Sequence, residues 1–555
     1  MLLSNLDLLA TAPKGVARLR ELIMILAVQG KLLPQDPLDE PASELLKKMQ
    51  TEKDELIAVG KIRRSKGVAD IDDSDKPFPL PNGWVWNRLG TLGDWGAGAT
   101  PSRSISSYYG GVIPWFKSGE LTADFIHASE ETVTDAALRD CSLRYNQIGD
   151  VLVAMYGATI GKTAILSVAG TTNQAVCACT PFCGLQNTYL LLLLKALKSY
   201  FVSIGAGGAQ PNISREKIIA TVVGLPPLAE QSRIVTRVEE LMRLCDALEA
   251  KGQLEAAQHA QLVSSLLGAL TASSTPDELH DNWQRVAQHF DLLLDRPAAV
   301  DALEQTILQL AVHGLLVPQD PTDEPASELL KKIRWEKDRL IAEGKIKRDK
   351  PLPPIAEDEK PFELPYGWEW GRVGNIGATQ TGGTPSSNNP AFFDGDFPFI
   401  GPGQITPSGS ILPPEKFVSE LGCFESSVAE IGDILMVCIG GSIGKCAAAS
   451  YPTAFNQQIN SLSPLLASRE YVLNAMSSNE FIEAVVKTAT GSATPIISKG
   501  KWDLLLLPVP PLSEQSRIVA RVESLRRLCA DLRQRLATSL STQAQLAEAL
   551  VQELA

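Results

Sequence analysis

Long hydrophobic runs are missing from this chain of 555 residues. Its longest apolar stretches, such as residues 189–194, fall far short of the ~20 residues that a membrane span needs. The start, MLLSNLDLLATAPKG, has an aspartate within its short apolar stretch and no basic region ahead of it, so we expect no secretory signal. Nine cysteines, an odd number at low density, fit a reducing compartment better than a disulfide framework. These features predict a soluble, cytoplasmic protein.

Catalytic and cofactor-binding motifs are also missing. There is no (D/N)PP(Y/F) tetrapeptide of amino-group methyltransferases and no glycine-rich strand-to-helix fingerprint for a dinucleotide. The sequence GATIGKT from Gly157 is one residue short of a phosphate-binding P-loop, because Tyr156 stands where the first glycine should be. The five histidines do not occupy corresponding places in paired motifs. We therefore expect no catalytic residue and no cofactor bound by this chain, which argues against a self-contained hydrolase or nucleotide-binding enzyme.

Metal-ligand residues cluster at one place. Cys177, Cys179 and Cys183 have CxCxxxC spacing, but no histidine or second CxxC pair lies nearby. We interpret them as buried small side chains, and we expect Cys245 and Cys529 to be core residues as well. No metal site is expected.

What the chain does contain is a repeat. The block LAVQGKLLPQDPLDEPASELLKKMQTEKDELIAVGKIRRSK at 26–66 returns 284 residues later, at 310–350, with 11 of its 41 positions changed. The same offset relates KPFPLPNGWVWNRLG from Lys76 to KPFELPYGWEWGRVG from Lys360, and LPPLAEQSRIVTRVEELMRLC to VPPLSEQSRIVARVESLRRLC. One unit is therefore used twice.

Helical periodicity marks the connections between the copies. Apolar residues follow steps of four and three after Ile234 and again after Ile518, which is the spacing of a coiled-coil seam. A matching seam precedes each repeated block, after Val16 and after Val300. A helix over about 228–270 would be a rod of roughly 60 Å at 1.5 Å per residue.

Between the helices lie two segments, 84–224 and 368–508, that are rich in glycine, proline, threonine and short β-branched runs. We interpret each as a mixed α/β domain. The start of the chain repeats the end of the central helical segment, and the end of the chain repeats its beginning. If the terminal helices pair as the central ones do, the repeat is circular, with a pseudo-twofold axis. Two tandem domains on a flexible string are the alternative.

The predicted fold class is therefore α+β, with two mixed α/β domains separated by long antiparallel coiled-coil helices in a pseudo-twofold circular repeat. The predicted divisions are an N-terminal helical segment at 1–75, a first domain at 76–225, a central helical spacer at 226–359, a second domain at 360–509 and a C-terminal helix at 510–555.

Paired motifs resemble a known family. LPNGWVWNRLG and LPYGWEWGRVG, the loops GATPSR and GGTPSS, the elements IGDVLVAMYGATIGKTAI and IGDILMVCIGGSIGKCAA, and the exits LPPLAEQSRIV and VPPLSEQSRIV are similar to those of the DNA-specificity subunit of type I restriction-modification enzymes. The resemblance covers nearly the whole chain, and the motifs follow the family's order in both halves.

This resemblance implies a non-catalytic subunit whose two domains are target-recognition domains, each reading one half of a bipartite, asymmetric site in double-stranded DNA. The implied partners are two methyltransferase subunits and, in the full complex, two restriction/translocase subunits. S-adenosylmethionine, ATP and Mg²⁺ are expected on those partners. The alternatives are a specificity subunit of a modification-only or related phage-defence system, and a structural coiled-coil scaffold.

DNA contacts are expected in loops that differ between the halves, because Arg, Lys, Asn, Gln and hydroxyl side chains match the groups on base edges and phosphates. Solvated loop residues are the alternative for each. The candidates are Arg103, Ser104, Lys117, Ser118, Tyr156, Lys162 and Gln210 in the first domain, and Ser386, Asn388, Asn389, Gln404, Lys445 and Thr494 in the second.

Two of these candidates, Lys162 and Lys445, follow small residues whose backbone N–H groups could approach phosphates closely. A tight turn after a core strand is the alternative. Aromatic residues near the other loops could stack or wedge at a groove, although core packing is the simpler interpretation. These are Tyr108, Tyr109, Phe392 and Phe393.

Charge is the main objection to a DNA-binding function, since the net charge is −13. The first globular segment holds ten Lys and Arg against nine Asp and Glu, and the second holds seven against twelve. We therefore expect the isolated chain to bind DNA weakly and to gain affinity from its partners.

The helix that begins with PASELLKK occurs after Pro41 and again after Pro325. Its near identity in two otherwise divergent halves leads us to expect that each copy contacts one methyltransferase subunit. Recent duplication with little drift explains the identity equally well.

Overall fold

The computed structural model describes residues 6–63, 70–205, 211–273, 275–491 and 494–554. Contacts divide the chain into two compact units. The first unit comprises 1–254 together with 540–555, and the second comprises 255–539. Both long helices, Leu228–Thr271 and Leu512–Leu554, begin in one unit and end in the other.

Helices of the first unit form the seam that the periodicity predicts. Leu19, Leu22 and Ile23 are buried in one core with Ile234 and Val238 of the long helix. Arg20 adds ion pairs to the same long helix, at 2.7 Å to Asp246 and 3.1 Å to Glu249. The helices around this seam are Leu6–Thr11, Gly15–Val28 and Ala42–Ala58.

The end of the chain packs in the same unit as its beginning. Ala547 and Val551 of the C-terminal helix lie in the core with the N-terminal helices, and Arg18 Nε is 2.8 Å from Glu548 Oε2. The pairing of the terminal helices is therefore confirmed, which is the connection that makes the repeat circular.

The second unit repeats this arrangement with the other ends of the long helices. Val263 and Leu267 are buried in one core with Val300, Leu303 and Ile518. The helices Pro297–Val312 and Leu512–Leu554 are antiparallel, because residue numbers rise along one as they fall along the other. Arg526 pairs with Glu304, and Arg533 pairs with Asp301 and Glu304. The helices before the second domain are Pro276–Gln288, Phe290–Leu293, Pro297–Val312 and Ala326–Ala342.

A five-stranded sheet forms the centre of the first domain. Its central strand, Val151–Ala154, is fully buried and pairs on both sides with antiparallel neighbours. This buried strand confirms the interpretation of the apolar run after Asp150. The strand order is Gly93–Ala97, Val176–Pro181, Val151–Ala154, Thr163–Leu166 and Phe125–Ile126.

Smaller sheets and short helices surround this centre. A three-stranded sheet has the order Glu131–Val133, Tyr109–Phe116, Thr171–Thr172, and Val85–Arg88 pairs with Val222–Leu225 where the chain enters and leaves the domain. The helices are Asp135–Asp140, Asn187–Ala196, Lys198–Gly205 and Arg215–Ala220.

The second domain also has ten strands in the described residues, but they are divided differently between its sheets. Its buried central strand Ile434–Val437 belongs to a four-stranded sheet, in the order Gly377–Thr381, Ile459–Pro464, Ile434–Val437, Cys446–Ala448. A second four-stranded sheet has the order Lys416–Val418, Phe397–Ile400, Thr453–Phe455, Ser427–Ala429, and Glu369–Arg372 pairs with Leu506–Val509. Its helices are Val373–Ile376, Glu420–Glu425, Arg469–Met476, Asn479–Thr488 and Lys499–Trp502.

A buried carboxylate joins each domain to the start of its long helix. In the first unit, Trp84 Nε1 donates to Glu230 Oε2 at 3.0 Å and Gln35 Nε2 donates to Glu230 Oε1 at 3.4 Å. In the second unit Trp368 and Gln319 hold Glu514 in the same way, at 3.0 and 3.3 Å. We call each set the carboxylate clamp. Burial raises the pKa of both glutamates.

The next residue of each long helix adds a second connection to its domain. Gln231 Oε1 accepts from the Gln186 N–H at 2.9 Å, and Gln515 Oε1 accepts from the Ser468 N–H at 2.8 Å. Both glutamines are fully buried. The two domains are thus attached to their helices by the same hydrogen bonds.

The cysteine predictions hold with one exception. Cys177, Cys179, Cys245 and Cys529 are buried, but Cys183 is exposed. The interpretation of Cys183 as a buried side chain is wrong because it lies in the turn after the strand Val176–Pro181, where its N–H donates to Glu52.

Membrane-spanning potential was tested on the described residues. No single helix there is long and apolar enough to cross a membrane. The bent pair Asn187–Ala196 and Lys198–Gly205 meets the criteria by length and composition only when both helices are taken together.

Removing the carboxylate clamp should destabilise the second unit. Glu514→Ala leaves the buried Trp368 N–H without an acceptor, at a cost of about 1–3 kcal/mol, whereas Glu514→Gln keeps a carbonyl oxygen there. Because burial raises the pKa of Glu514, the proton-linked part of its contribution to stability is full below the ordinary glutamate pKa and is lost as the pH rises through the folded-state value. The hydrogen bond from Trp368 is a separate contribution, which remains at neutral pH. Thermal unfolding of both variants against pH measures this.

Glu523→Ala is the matched control, since Glu523 is exposed on the same helix. Equal melting temperatures for Glu514→Ala and Glu523→Ala at neutral pH would contradict a stabilising role for the clamp.

Candidate nucleic-acid interface

Two loops are pinned together at the same place in both domains. In the first, Thr100 Oγ1 donates to Gln174 Oε1, and in the second Thr384 Oγ1 donates to Gln457 Oε1. A glycine permits the close approach in the first domain, since a Cβ on Gly98 would lie 2.2 Å from the carbonyl oxygen of Thr172. The residues that follow each TPS sequence are thereby held at the surface.

The structure brings Arg103 and Lys117 together around a carboxylate that the sequence analysis did not single out. Arg103 Nη1 is 2.5 Å from Glu131 Oε2 and its Nη2 is 3.1 Å from Glu131 Oε1. Lys117 Nζ is 3.0 Å from Glu131 and 3.1 Å from Glu130. The Arg103 guanidinium also lies over the Tyr109 ring, 4.4 Å from its centroid. A sequence signal for Glu131 is lacking because its partners are 14 and 28 residues away.

The electrostatics of this cluster favour the charged forms. Hydrogen bonds from Arg103 and then Lys117 lower the pKa of Glu131 to about 2. The same hydrogen bonds raise the pKa of Arg103 and of Lys117. Two cations and the carboxylates of Glu130 and Glu131 therefore balance, so the cluster presents no net positive charge at neutral pH.

Ser104 and Ser118 flank the same cluster. Ser104 is exposed and its hydroxyl is 2.8 Å from that of Ser102. Ser118 is half-buried at the start of the short 3₁₀ turn Ser118–Glu120. Gln210 lies outside the described residues.

The loop from Tyr156 to Lys162 is a tight turn after the central strand. The N–H groups of Gly157, Gly161 and Lys162 donate to Pro211, Ala154 and Thr159 at 2.8, 3.0 and 2.9 Å. The expectation that this loop offers free backbone N–H groups to a phosphate is therefore wrong for these three groups, because each already donates to a backbone carbonyl. The N–H groups of Gly440, Gly444 and Lys445 in the second domain are used in the same manner.

The side chains of Lys162 and Lys445 remain available for an anion. Both are half-buried at the end of their turns. Neither forms an ion pair with any carboxylate of the residues that the structure describes. A positive φ at Gly161 and Gly444, +77° and +91°, requires glycine and places each lysine directly after the bend.

A polar pocket connects Tyr156 with residues that the sequence analysis missed. It is lined by Gly96–Gly98, Tyr156, Gln174, Ser214 and Arg215, among others, and has a volume of about 470 Å³. Tyr156 is 38% exposed at its rim. The Asn-Gln dipeptide that supplies Gln174 recurs as Asn456-Gln457, and this internal recurrence could have pointed to both glutamines.

Candidates of the second domain are more dispersed. Ser386, Asn388 and Asn389 are exposed in the loop after the TPS sequence, where Asn389 caps a short turn. Thr494 is exposed in a separate loop. Gln404 is half-buried, and its side-chain carbonyl accepts from the Gly401 N–H at 2.9 Å, as Glu120 accepts from Lys117 in the first domain.

The four aromatic candidates are all half-buried. Tyr108, Tyr109 and Phe393 pack against small buried clusters. The Tyr109 hydroxyl donates to the Pro101 carbonyl at 2.6 Å. These contacts agree with core packing as the simpler interpretation for those three residues.

Metal coordination was sought across the described part of the chain. No group of three or more His, Cys, Asp or Glu side chains there could hold a metal ion.

Comparison with known proteins gives consistent similarities. The family model described as "Type I restriction modification DNA specificity domain" matches residues 81–258 and 365–541. The EcoAI specificity subunit of Escherichia coli is 36% identical, and the EcoEI specificity subunit of the same organism 33% identical, each over 97% of this chain and 93% of the relative. A chain in a solved structure of a type I R-M system has 19% identity and a TM-score of 0.44, covering 86% of this chain and 99% of that one.

Two matches of the family model and two relatives that align over nearly the whole chain show its family. The chain belongs to the specificity subunits of type I restriction-modification enzymes and is a non-catalytic DNA-recognition subunit with two target-recognition domains.

Proposed function

We propose that each target-recognition domain reads one half of a bipartite, asymmetric DNA site. The observation that carries this proposal is the pinned loop pair, Thr100 with Gln174 and Thr384 with Gln457. The anchor is the same in both domains, yet the exposed residues that follow differ, with Arg103 in one where Ser387 stands in the other. Arginine suits guanine, whereas serine is a small donor and acceptor. The same Thr–Gln hydrogen bond in both domains, followed by different exposed side chains, supports the reading of two different half-sites.

The long helices would set the distance between the half-sites. Leu228–Thr271 has 44 residues, which corresponds to about 66 Å at 1.5 Å per residue. A continuous helix of this length would be a stiffer connection than a flexible linker. The second domain then binds at high effective concentration only where the half-site separation matches.

The partners would be two methyltransferase subunits, with one docked on each repeated helix. Ala42–Ala58 and Ala326–Ala342 carry the same exposed ion pairs, Lys47 with Glu44 and Lys331 with Glu328, both at 2.7 Å. Equivalent exposed faces in divergent halves support binding of the same subunit. Two restriction/translocase subunits would complete the restriction enzyme.

Catalysis and cofactors would belong to these partners. S-adenosylmethionine would serve the methyltransferase subunits, ATP and Mg²⁺ the translocases, and the complex would act in the cytoplasm. A modification-only or phage-defence system would use this chain in the same way without the nuclease. Phosphate contacts from the partners would compensate for the net charge of −13.

Half-site reading predicts a split effect on DNA methylation. Sequencing that detects N6-methyladenine should show one bipartite motif that disappears when the gene is deleted. Arg103→Ala should relax the motif only in the half read by the first domain, because a lost bidentate contact costs ~1–3 kcal/mol of discrimination at one base. Asn388→Ala should change only the other half. A continuous motif, or changes in both halves from one substitution, would refute the proposal.

Lys162 and Lys445 should contribute sequence-independent affinity. Lys162→Ala and Lys445→Ala should weaken binding of target and non-target duplexes by similar factors, and each should lower the salt dependence of log K by about 0.9. Fluorescence anisotropy across salt concentrations measures both. Lys195→Ala is the control, since its ammonium is paired with Asp124. Unchanged binding of the Lys162 and Lys445 variants would exclude a phosphate contact.

Docking on the repeated helices predicts a change in stoichiometry. Lys47→Glu should lower the number of bound methyltransferase subunits from two to one, and adding Lys331→Glu should abolish binding, because charge reversal on an exposed contact costs association energy. Mass photometry of co-expressed complexes counts the subunits. Lys251→Glu, at an exposed position of the long helix, is the control. Retention of two subunits by the double variant would rule out docking at these helices.

A further inference from the structure

In the absence of DNA, the guanidinium of Arg103 is bound by a carboxylate at its terminal nitrogens and contacts an aromatic ring. Both terminal nitrogens of the guanidinium bind the two oxygens of Glu131. Arg103 Cζ lies over the Tyr109 ring, 4.4 Å from its centroid, and over the Trp115 ring, 5.4 Å from its centroid. Such a bidentate pair is the geometry in which arginine also binds phosphate or guanine.

Lys117 is held by the same carboxylate, 3.0 Å from Glu131 Oε1. Only 29% of the Lys117 side chain is exposed, compared with 58% for Arg103. Glu131 is therefore bonded to both cations that the first domain presents at this loop cluster.

The backbone fixes the position of Glu131. Trp115 and Glu131 are register partners in the antiparallel strands Tyr109–Phe116 and Glu131–Val133. Glu120 joins the two segments further along, because its two carboxylate oxygens accept from the N–H groups of Lys117 and Glu130, both at 2.5 Å. Glu131 is thus placed by the sheet and does not reach the cations through a flexible loop.

This arrangement is absent from the described residues of the second domain. By strand register Phe399 pairs with Lys416, as Trp115 pairs with Glu131, although Glu415 is the residue 284 positions after Glu131. Ser387 and Gly401 stand at the repeat positions of Arg103 and Lys117. Lys416 therefore stands where the first domain has a carboxylate. Ser387 and Gly401, at the positions of the two cations, are uncharged.

DNA that uses the guanidinium edge of Arg103 has to displace Glu131. Any duplex offers phosphates, but a phosphate alone exchanges one anion for another and gains little. A guanine edge placed by correct docking of the whole domain adds further contacts, so only that duplex displaces the carboxylate with a net gain.

We propose that Glu131 is an autoinhibitory residue of the first half-site, which withholds Arg103 and Lys117 from non-target DNA by occupying their hydrogen-bonding groups and which correctly docked DNA has to displace. This inference rests on the proposed reading of half-sites and adds to it a residue that makes no favourable contact with DNA. It applies to one half-site only, since the second domain has Lys416 at the corresponding position.

Binding of the chain co-purified with its methyltransferase subunits tests this inference. Three labelled duplexes are needed: the methylated motif found in the genome, the same duplex with the first half scrambled, and the same duplex with the second half scrambled. Glu131→Gln should tighten binding of the first-half-scrambled duplex by about 5- to 10-fold and steepen its salt dependence, because one to two further phosphate contacts become available. Binding of the unscrambled motif should tighten by at least as much, because the guanine contact no longer has to displace a carboxylate.

Glu240→Gln is the matched control, because it removes one negative charge from an ion pair with Arg237, at 3.0 Å on the long helix. A second control places Glu131→Gln in an Arg103→Ala, Lys117→Ala background, where the gain should vanish. A gain equal to that of Glu240→Gln, or one that persists without Arg103 and Lys117, would overturn the inference. If the unaltered complex bound all three duplexes equally, the proposed function itself would fail.

Discussion

The buried glutamate at the start of each long helix is the constraint on which the arrangement of this protein depends. Glu230 and Glu514 are almost fully buried, and a carboxylate in that position is tolerated only when donors surround it. The indole of a domain tryptophan and an amide from the preceding turn supply those donors in both units. Three separate parts of the chain are therefore held at one point, so each recognition domain keeps a defined orientation on its helix.

The buried frame and the candidate DNA-binding loops use different residues in each domain. The central strands Val151–Ala154 and Ile434–Val437 are completely buried and apolar, so their side chains are constrained by packing. The residues that follow each TPS sequence are mostly exposed. Substitutions at exposed positions cost little stability. The loops could therefore diverge in sequence while the frame stayed nearly the same.

Periodicity and the internal repeat predicted much of the fold. The long helix expected over 228–270 is Leu228–Thr271, and the apolar run after Asp433 is the buried strand Ile434–Val437. These patterns report local burial, which is why they succeed. The different division of strands between the sheets of the two domains was not foreseeable, because short edge strands such as Phe125–Ile126 form only through pairing with distant segments. The exposed Cys183 was missed for a related reason, since spacing does not reveal where a strand ends.

The sequence by itself determined that one unit is used twice and that the chain lacks catalytic motifs, because identity and periodicity are properties of the linear order, whereas the pairing of the terminal helices that makes the repeat circular was decided by the tertiary structure. The sequence also supplied the candidate cations of the recognition loops. Only the tertiary structure decided which anions pair with them. Strand pairing with Trp115 brings Glu131 within hydrogen-bonding distance of Arg103 and Lys117. Lys162 and Lys445 form no ion pair with a carboxylate of the described residues. Charge counts are additive along a chain, but hydrogen bonds between charges require proximity, and proximity between distant residues arises only from folding.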